Sequence, residues 1–63
     1  MDLRSLVLSV DGNCVIEVYS ADSKEFLTYF DSWDAENKYL DYDVISITSA
    51  IQDGKAIIIA YVD

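Results

Sequence analysis

The dipeptide Asp-Gly occurs twice, at residues 11–12 and 53–54, and each time it separates two runs rich in aliphatic residues. Such dipeptides accept the positive φ angles of tight connections, so each is read as the tip of a β-hairpin. Around the first, Leu6, Leu8 and Val10 alternate with Ser5, Val7 and Ser9, and Cys14, Ile16 and Val18 alternate with Val15, Glu17 and Tyr19. A three-residue loop of Asp11, Gly12 and Asn13 sets both apolar rows on one face, Asn13 taking a left-handed conformation. The second hairpin has its strands near residues 44–51 and 56–62.

Between the hairpins the apolar period lengthens. Asp22 followed three residues later by Glu25 fits a capping box ahead of FLTYFDSWDAEN, which predicts a helix closed by Asn37. Phe26, Phe30 and Trp33 fall on one stripe flanked by Leu27 and Tyr29, while Lys24, Thr28, Asp31 and Ala35 turn outward. Trp33 is expected in the core, its indole N–H needing a partner. The predicted order is β-β-α-β-β. It describes one small α+β domain over residues 1–63, with a four-stranded, mainly antiparallel sheet and one amphipathic helix packed on one face. DGNCVIEVYSAD and DGKAIIIAYVD also align, Asp, Gly and Tyr matching, as though each half held a similar hairpin.

A 63-residue chain buries only about 60% of the surface exposed when it is unfolded, so a fold of this kind is marginal by itself. Cys14 is the only cysteine and there is no histidine, which excludes an internal disulfide and removes the usual zinc ligands. Cys14 is read as a small buried hydrophobe. Association remains as a source of stability, and the strand AIIIAYV points the same way. It is apolar at odd and even positions, whereas one helix covers one face. Ile58, Ala60 and Val62, beside Val44, Thr48 and Ala50, are therefore expected to form an exposed patch through which the chain homodimerises, and the alternative register leaves the same difficulty.

Twelve acids against four bases give a formal net charge of −8, while 52% of residues are hydrophobic. The hydrophobic content is too high for disorder, and the charge disfavours nucleic acid and anionic lipid as direct partners. No apolar run approaches the 18 or so residues of a membrane span, and the first ten residues lack the pattern of a secretory signal. With an unpaired cysteine, a cytoplasmic location is expected. Residues 22–43 carry seven carboxylates against Lys24 and Lys38, a net of −5.

Within that region Asp31, Asp34, Glu36, Tyr39, Asp41, Tyr42 and Asp43 are the candidate partner-binding residues. Carboxylates on a rigid scaffold can occupy phosphate sites of a DNA-binding protein, and tyrosines among them suit recognition of Arg or Lys. Such a surface resembles, in general character, those of small phage-encoded inhibitors that imitate DNA. The expected function is a non-enzymatic interaction module that occludes a basic surface of a target protein. The alternative is a homo-oligomeric adaptor in which the acids serve only solubility. No histidine, no base near Cys14 and no glycine-rich phosphate loop favour catalysis. Asp41 and Asp43 lack the spacing of a calcium loop, so neither a metal nor another cofactor is expected.

Overall fold

The computed structural model describes residues 1–10, 12 and 14–63. Asp11 and Asn13, on which the expected first turn depends, lie outside the described residues.

The first apolar run is a helix, not a strand. In α1, Leu3–Ser9, Asp2 is the extended N-cap, and its carboxylate accepts the Ser5 N–H at 2.9 Å. Leu3, Leu6, Val7 and Val10 recur at the i, i+3, i+4, i+7 spacing of one helical stripe. Leu3 and Leu6 are buried and Val7 and Val10 pack against the core, whereas Leu8, which an alternating strand would have placed with Leu6, is exposed. The first expected hairpin is corrected accordingly.

Four strands follow: β1 Val15–Ser20, β2 Phe26–Phe30, β3 Val44–Gln52 and β4 Lys55–Val62, in the sheet order β2-β1-β4-β3. β1 runs antiparallel to β2 and parallel to β4, and β3 and β4 are antiparallel. The α+β class, with a four-stranded sheet and one helix on one face, stands. The sheet is mixed, and the order is α-β-β-β-β in place of β-β-α-β-β.

The helix predicted over residues 26–37 is β2 and the start of a connection. Lys24 has φ 63°, a left-handed conformation that stops a helix from running on from Asp22. The Ser20 N–H bonds the Glu25 carbonyl at 2.9 Å, closing a turn between β1 and β2. Phe-Leu-Thr-Tyr-Phe is strand-favouring by composition, and pairing with β1 outweighs the helical spacing of its aromatics. Trp33 falls beyond the strand end and is 45% exposed, not core.

The second hairpin forms as expected. Asp53 and Gly54 both have positive φ, 52° and 76°, which is what a two-residue primed turn between twisted strands requires. The aligned segments of the sequence turn out to be the two central strands rather than two hairpins. Val15 to Ser20 lie beside Ile57 to Val62 in parallel, in the same alignment that matches Tyr19 to Tyr61.

The core lies between α1 and one sheet face: Leu3, Leu6, Ile16, Val18, Phe30, Leu40, Ala60 and Val62. Residues 31–43 return on this side from the end of β2 to the start of β3, at opposite edges of the sheet, with Leu40 buried as the anchor. The connection also satisfies N–H groups that the first helical turn leaves free: Leu3 donates to the Tyr42 carbonyl and Arg4 to the Leu40 carbonyl, both at 2.9 Å.

Candidate functional site

All seven candidate partner-binding residues lie on the 31–43 connection, which is irregular and not helical. Local hydrogen bonds shape it. Asp34 Oδ1 accepts the Glu36 N–H at 3.2 Å, Asn37 Oδ1 accepts the Tyr39 N–H at 2.9 Å, and Asn37 Nδ2 donates to Thr28 Oγ1 at 2.9 Å. Asn37 thus pins the connection to β2.

The structure divides the seven into two groups, because the connection crosses a four-stranded sheet whose outer strands are roughly 14 Å apart at normal strand spacing. Near the end of β2, Asp31 and Asp34 line a polar groove of about 470 Å³ together with Tyr29, Trp33 and Asn37. Glu36 is exposed next along the chain. Near the start of β3, Tyr39 is half-buried against the core and Tyr42 meets it edge-on, ring centres 5.1 Å apart. Arg4 Nη2 lies 3.1 Å from Asp41 Oδ1, and the Lys38 ammonium sits over the Tyr39 ring at 5.2 Å. Asp43 exchanges two backbone hydrogen bonds with Asp63 and forms an isolated bridge with Asp2.

Among the described residues Arg4–Asp41 is the only ion pair. Asp31, Asp34, Glu36 and Asp43 are exposed carboxylates without an ion-pair partner among the described residues, and Lys38 and Arg4 offset only part of the negative field along this connection. Asp2 behaves differently: the N–H and hydroxyl of Ser5 stabilise its anion, and its carboxyl is held below the ordinary range.

Ile58, Ala60 and Val62, expected as a dimer surface, face α1. Ala60 and Val62 are fully buried inside the molecule and Ile58 is half-buried against the same core, so they present no such surface. The second face of the sheet is the one left bare. It carries the other register set of β4, Ile57, Ile59 and Tyr61, with Val15, Glu17 and Tyr19 of β1 and Tyr29 and Phe26 of β2. Tyr19 touches Phe26 edge-on at 5.6 Å and Tyr61 at 5.9 Å, and the Lys24 ammonium lies over Tyr61 at 4.8 Å. The Tyr19 hydroxyl donates to Glu17 Oε1 at 2.8 Å, and this bond to a carboxylate raises the phenol pKa.

A second, apolar cleft of about 220 Å³ lies between the end of α1 and the β1–β2 pair, lined by Val7, Val10, Cys14, Phe30 and Trp33. Cys14 is half-buried there, not fully enclosed. Among the described residues no three of His, Cys, Asp and Glu converge as metal ligands, and no helix is long and apolar enough to cross a membrane. Sequence reading missed Trp33 and Tyr29 as members of the acidic groove. The available signal was their adjacency to Asp31 and Asp34, masked by assigning both rings to a helix.

No known protein family, curated protein or solved structure matches this chain.

Proposed function

We propose that the chain is a non-enzymatic interaction protein that occupies a basic, nucleic-acid-binding surface of a partner protein and so occludes it. The observation that carries this reading is the groove at the end of β2, which Asp31 and Asp34 line together with the exposed residues Tyr29 and Trp33. Carboxylates flanked by aromatic faces suit a guanidinium or ammonium, which gains a charge-assisted hydrogen bond and a cation–π contact together. The molecule already uses both contacts for its own bases, Arg4 on Asp41 and Lys38 on Tyr39. The partner-binding surface comprises that groove, Glu36, and the Tyr39, Asp41, Tyr42 and Asp43 group at the far end of the connection. Acids spaced along a connection pinned at both ends meet a row of phosphate-binding bases, and long-range attraction speeds the encounter.

The test is capture from cell lysate by the immobilised chain at low and high salt, with and without competing duplex DNA. A second bait has Asp31, Asp34, Glu36 and Asp43 changed to Asn or Gln. The expected captured proteins are basic, are released by salt and by DNA, and are lost from the second bait. Proteins retained equally by both baits and indifferent to salt would overturn the reading.

A further inference from the structure

The two edges of the sheet are guarded unequally. β2 is five residues long, bulged against β1, and flanked by Lys24, Glu25 and Asp31. Short, irregular, charged edges of that kind resist pairing with other chains. β3 is nine residues long, VISITSAIQ, with neither an ionisable side chain nor a proline, and residues 45–52 are all exposed. At Val44 this edge is taken by the Met1 carbonyl, which accepts its N–H at 2.8 Å, but nothing in the composition of residues 46–52 keeps another strand away.

We propose that β3 is a self-pairing edge: a second copy of the chain adds to it antiparallel, about a two-fold axis at Ser49, joining two four-stranded sheets into one of eight. Charge selects the occupant's approach. Two molecules of net charge −8 repel wherever acids face each other, and β3 is a surface strand without any.

The side-chain pattern selects the register. Residues directly opposite in an antiparallel pair share a face, and Ile47, Ser49 and Ile51 lie on the α1 side, opposite Ala60, Ile58 and Ala56 of β4. An axis at Ser49 sets each Ile47 against Ile51 of the second copy, and Thr48 against Ala50, over a ladder of residues 46–52. Ile47 is 49% and Ile51 82% exposed, beyond the reach of the seven-residue α1, so each fills what the other lacks. The neighbouring registers fail. An axis at Thr48 puts Asp43 against Asp53 of the second copy, one at Ala50 puts Ile47 against Asp53, and one at Ile47 puts Ile51 against Asp43. With the axis at Ser49, Asp53 meets only Ile45, at the bulge between Val44 and Ser46 where the regular ladder ends.

This dimer is independent of the acidic connection, and salt separates the two. Screening weakens binding to a basic partner but strengthens association of like-charged copies. The experiment is sedimentation equilibrium of the full chain at low and high salt, with circular dichroism to confirm folding. The expected result is a dimer whose dissociation constant falls as salt rises. Ser49→Lys places two ammonium groups face to face at the axis and is expected to be monomeric, as is Ser49→Asp. An equimolar mixture of the two is expected to restore the dimer, which a merely misfolded variant would not do. Ser32→Lys, the same charge change away from β3, should leave association unchanged. A wild type that stays monomeric at every salt concentration, or a folded Ser49→Lys that dimerises like wild type, overturns the proposal.

Discussion

Both faces of the sheet carry apolar side chains but are shielded by different means. On the α1 side, whole elements provide the cover: the helix contributes Leu3 and Leu6, the connection contributes Leu40, and Ala60 and Val62 beneath them are fully enclosed. On the other side no helix or strand among the described residues lies over the sheet, and the side chains shield one another. Tyr19 bridges Phe26 and Tyr61, Lys24 caps Tyr61, and Ile57 is buried between its neighbours on the adjoining strands. A chain of this length can build one core layer. Large rings laid along the second face reduce its contact with water without a second layer, yet leave Phe26 and Tyr29 more than half exposed, at 54% and 56%.

The contrast predicts unequal costs for the same truncation on the two sides. Leu3→Ala empties a fully enclosed site and is expected to cost about 2–5 kcal/mol. Against a total stability on the order of 5 kcal/mol for a domain at the small end of the range, that leaves about 0–3 kcal/mol, and at the upper end of the loss about half of the population is unfolded at 25 °C. Denaturant unfolding measures it directly. Phe26→Ala on the bare face removes a larger side chain that already meets water, and about 1–2 kcal/mol is expected, well below the range for a buried ring. If the two variants lost equal stability, the second face would be covered in solution, and the contrast between the faces would have to be abandoned.

A smaller effect concerns how α1 is held on its side. Asp2 caps the helix through the Ser5 N–H, and that bond depresses its carboxyl pKa. A depressed folded pKa means stability that is present above the unfolded value near 4 and is lost as pH falls through the folded value. Asp2→Ala is therefore expected to be less stable than wild type at neutral pH, and the two unfolding midpoints should converge in acid. Asp2→Asn, which keeps a capping oxygen without charge, should retain part of the difference at all pH values. Midpoints that stay equally far apart down to low pH would show that the carboxylate is not what caps the helix.

Legibility also differed along the chain, for physical reasons. The second hairpin was readable because Asp53 and Gly54 supply the positive φ angles of its turn and its strands pair with each other. The N-terminal run was not, because Leu6 and Val10 satisfy a period of two and a helical period alike. Leu3, exposed Leu8 and the Asp2 cap decide between them. Residues 26–30 were misassigned because helical spacing is local, whereas the open edge of β1 that recruits them is a tertiary fact. The parallel pairing of β1 with β4 was present in the sequence as the alignment of two Asp-Gly segments, though an alignment alone does not say whether two copies lie side by side. The acidic candidates lie on one exposed connection, divided between its two ends. The rings beside Asp31 and Asp34 were overlooked because an assumed helix placed Trp33 inside.

The smallest expected effect lies on the bare face and tests what keeps its row of rings in order. Tyr19 donates to Glu17, and losing the phenol proton would set two anions together, so its pKa is raised above the ordinary tyrosine value near 10. Because the folded value is the higher one, stability from this contact is present below pH 10 or so and disappears as pH rises through the folded pKa. In an ultraviolet titration one of the five tyrosines should ionise after the others, and Tyr19→Phe should remove that late step. Glu17→Gln should move it toward the ordinary value, since a neutral amide still accepts the hydrogen bond but no longer opposes the phenolate. Tyr19→Phe should also be slightly less stable than wild type at neutral pH and indistinguishable from it in strong alkali. A late-ionising tyrosine that survives Tyr19→Phe would place the effect elsewhere and leave Tyr19 as one more half-buried ring, with the bare face held by apolar contact alone.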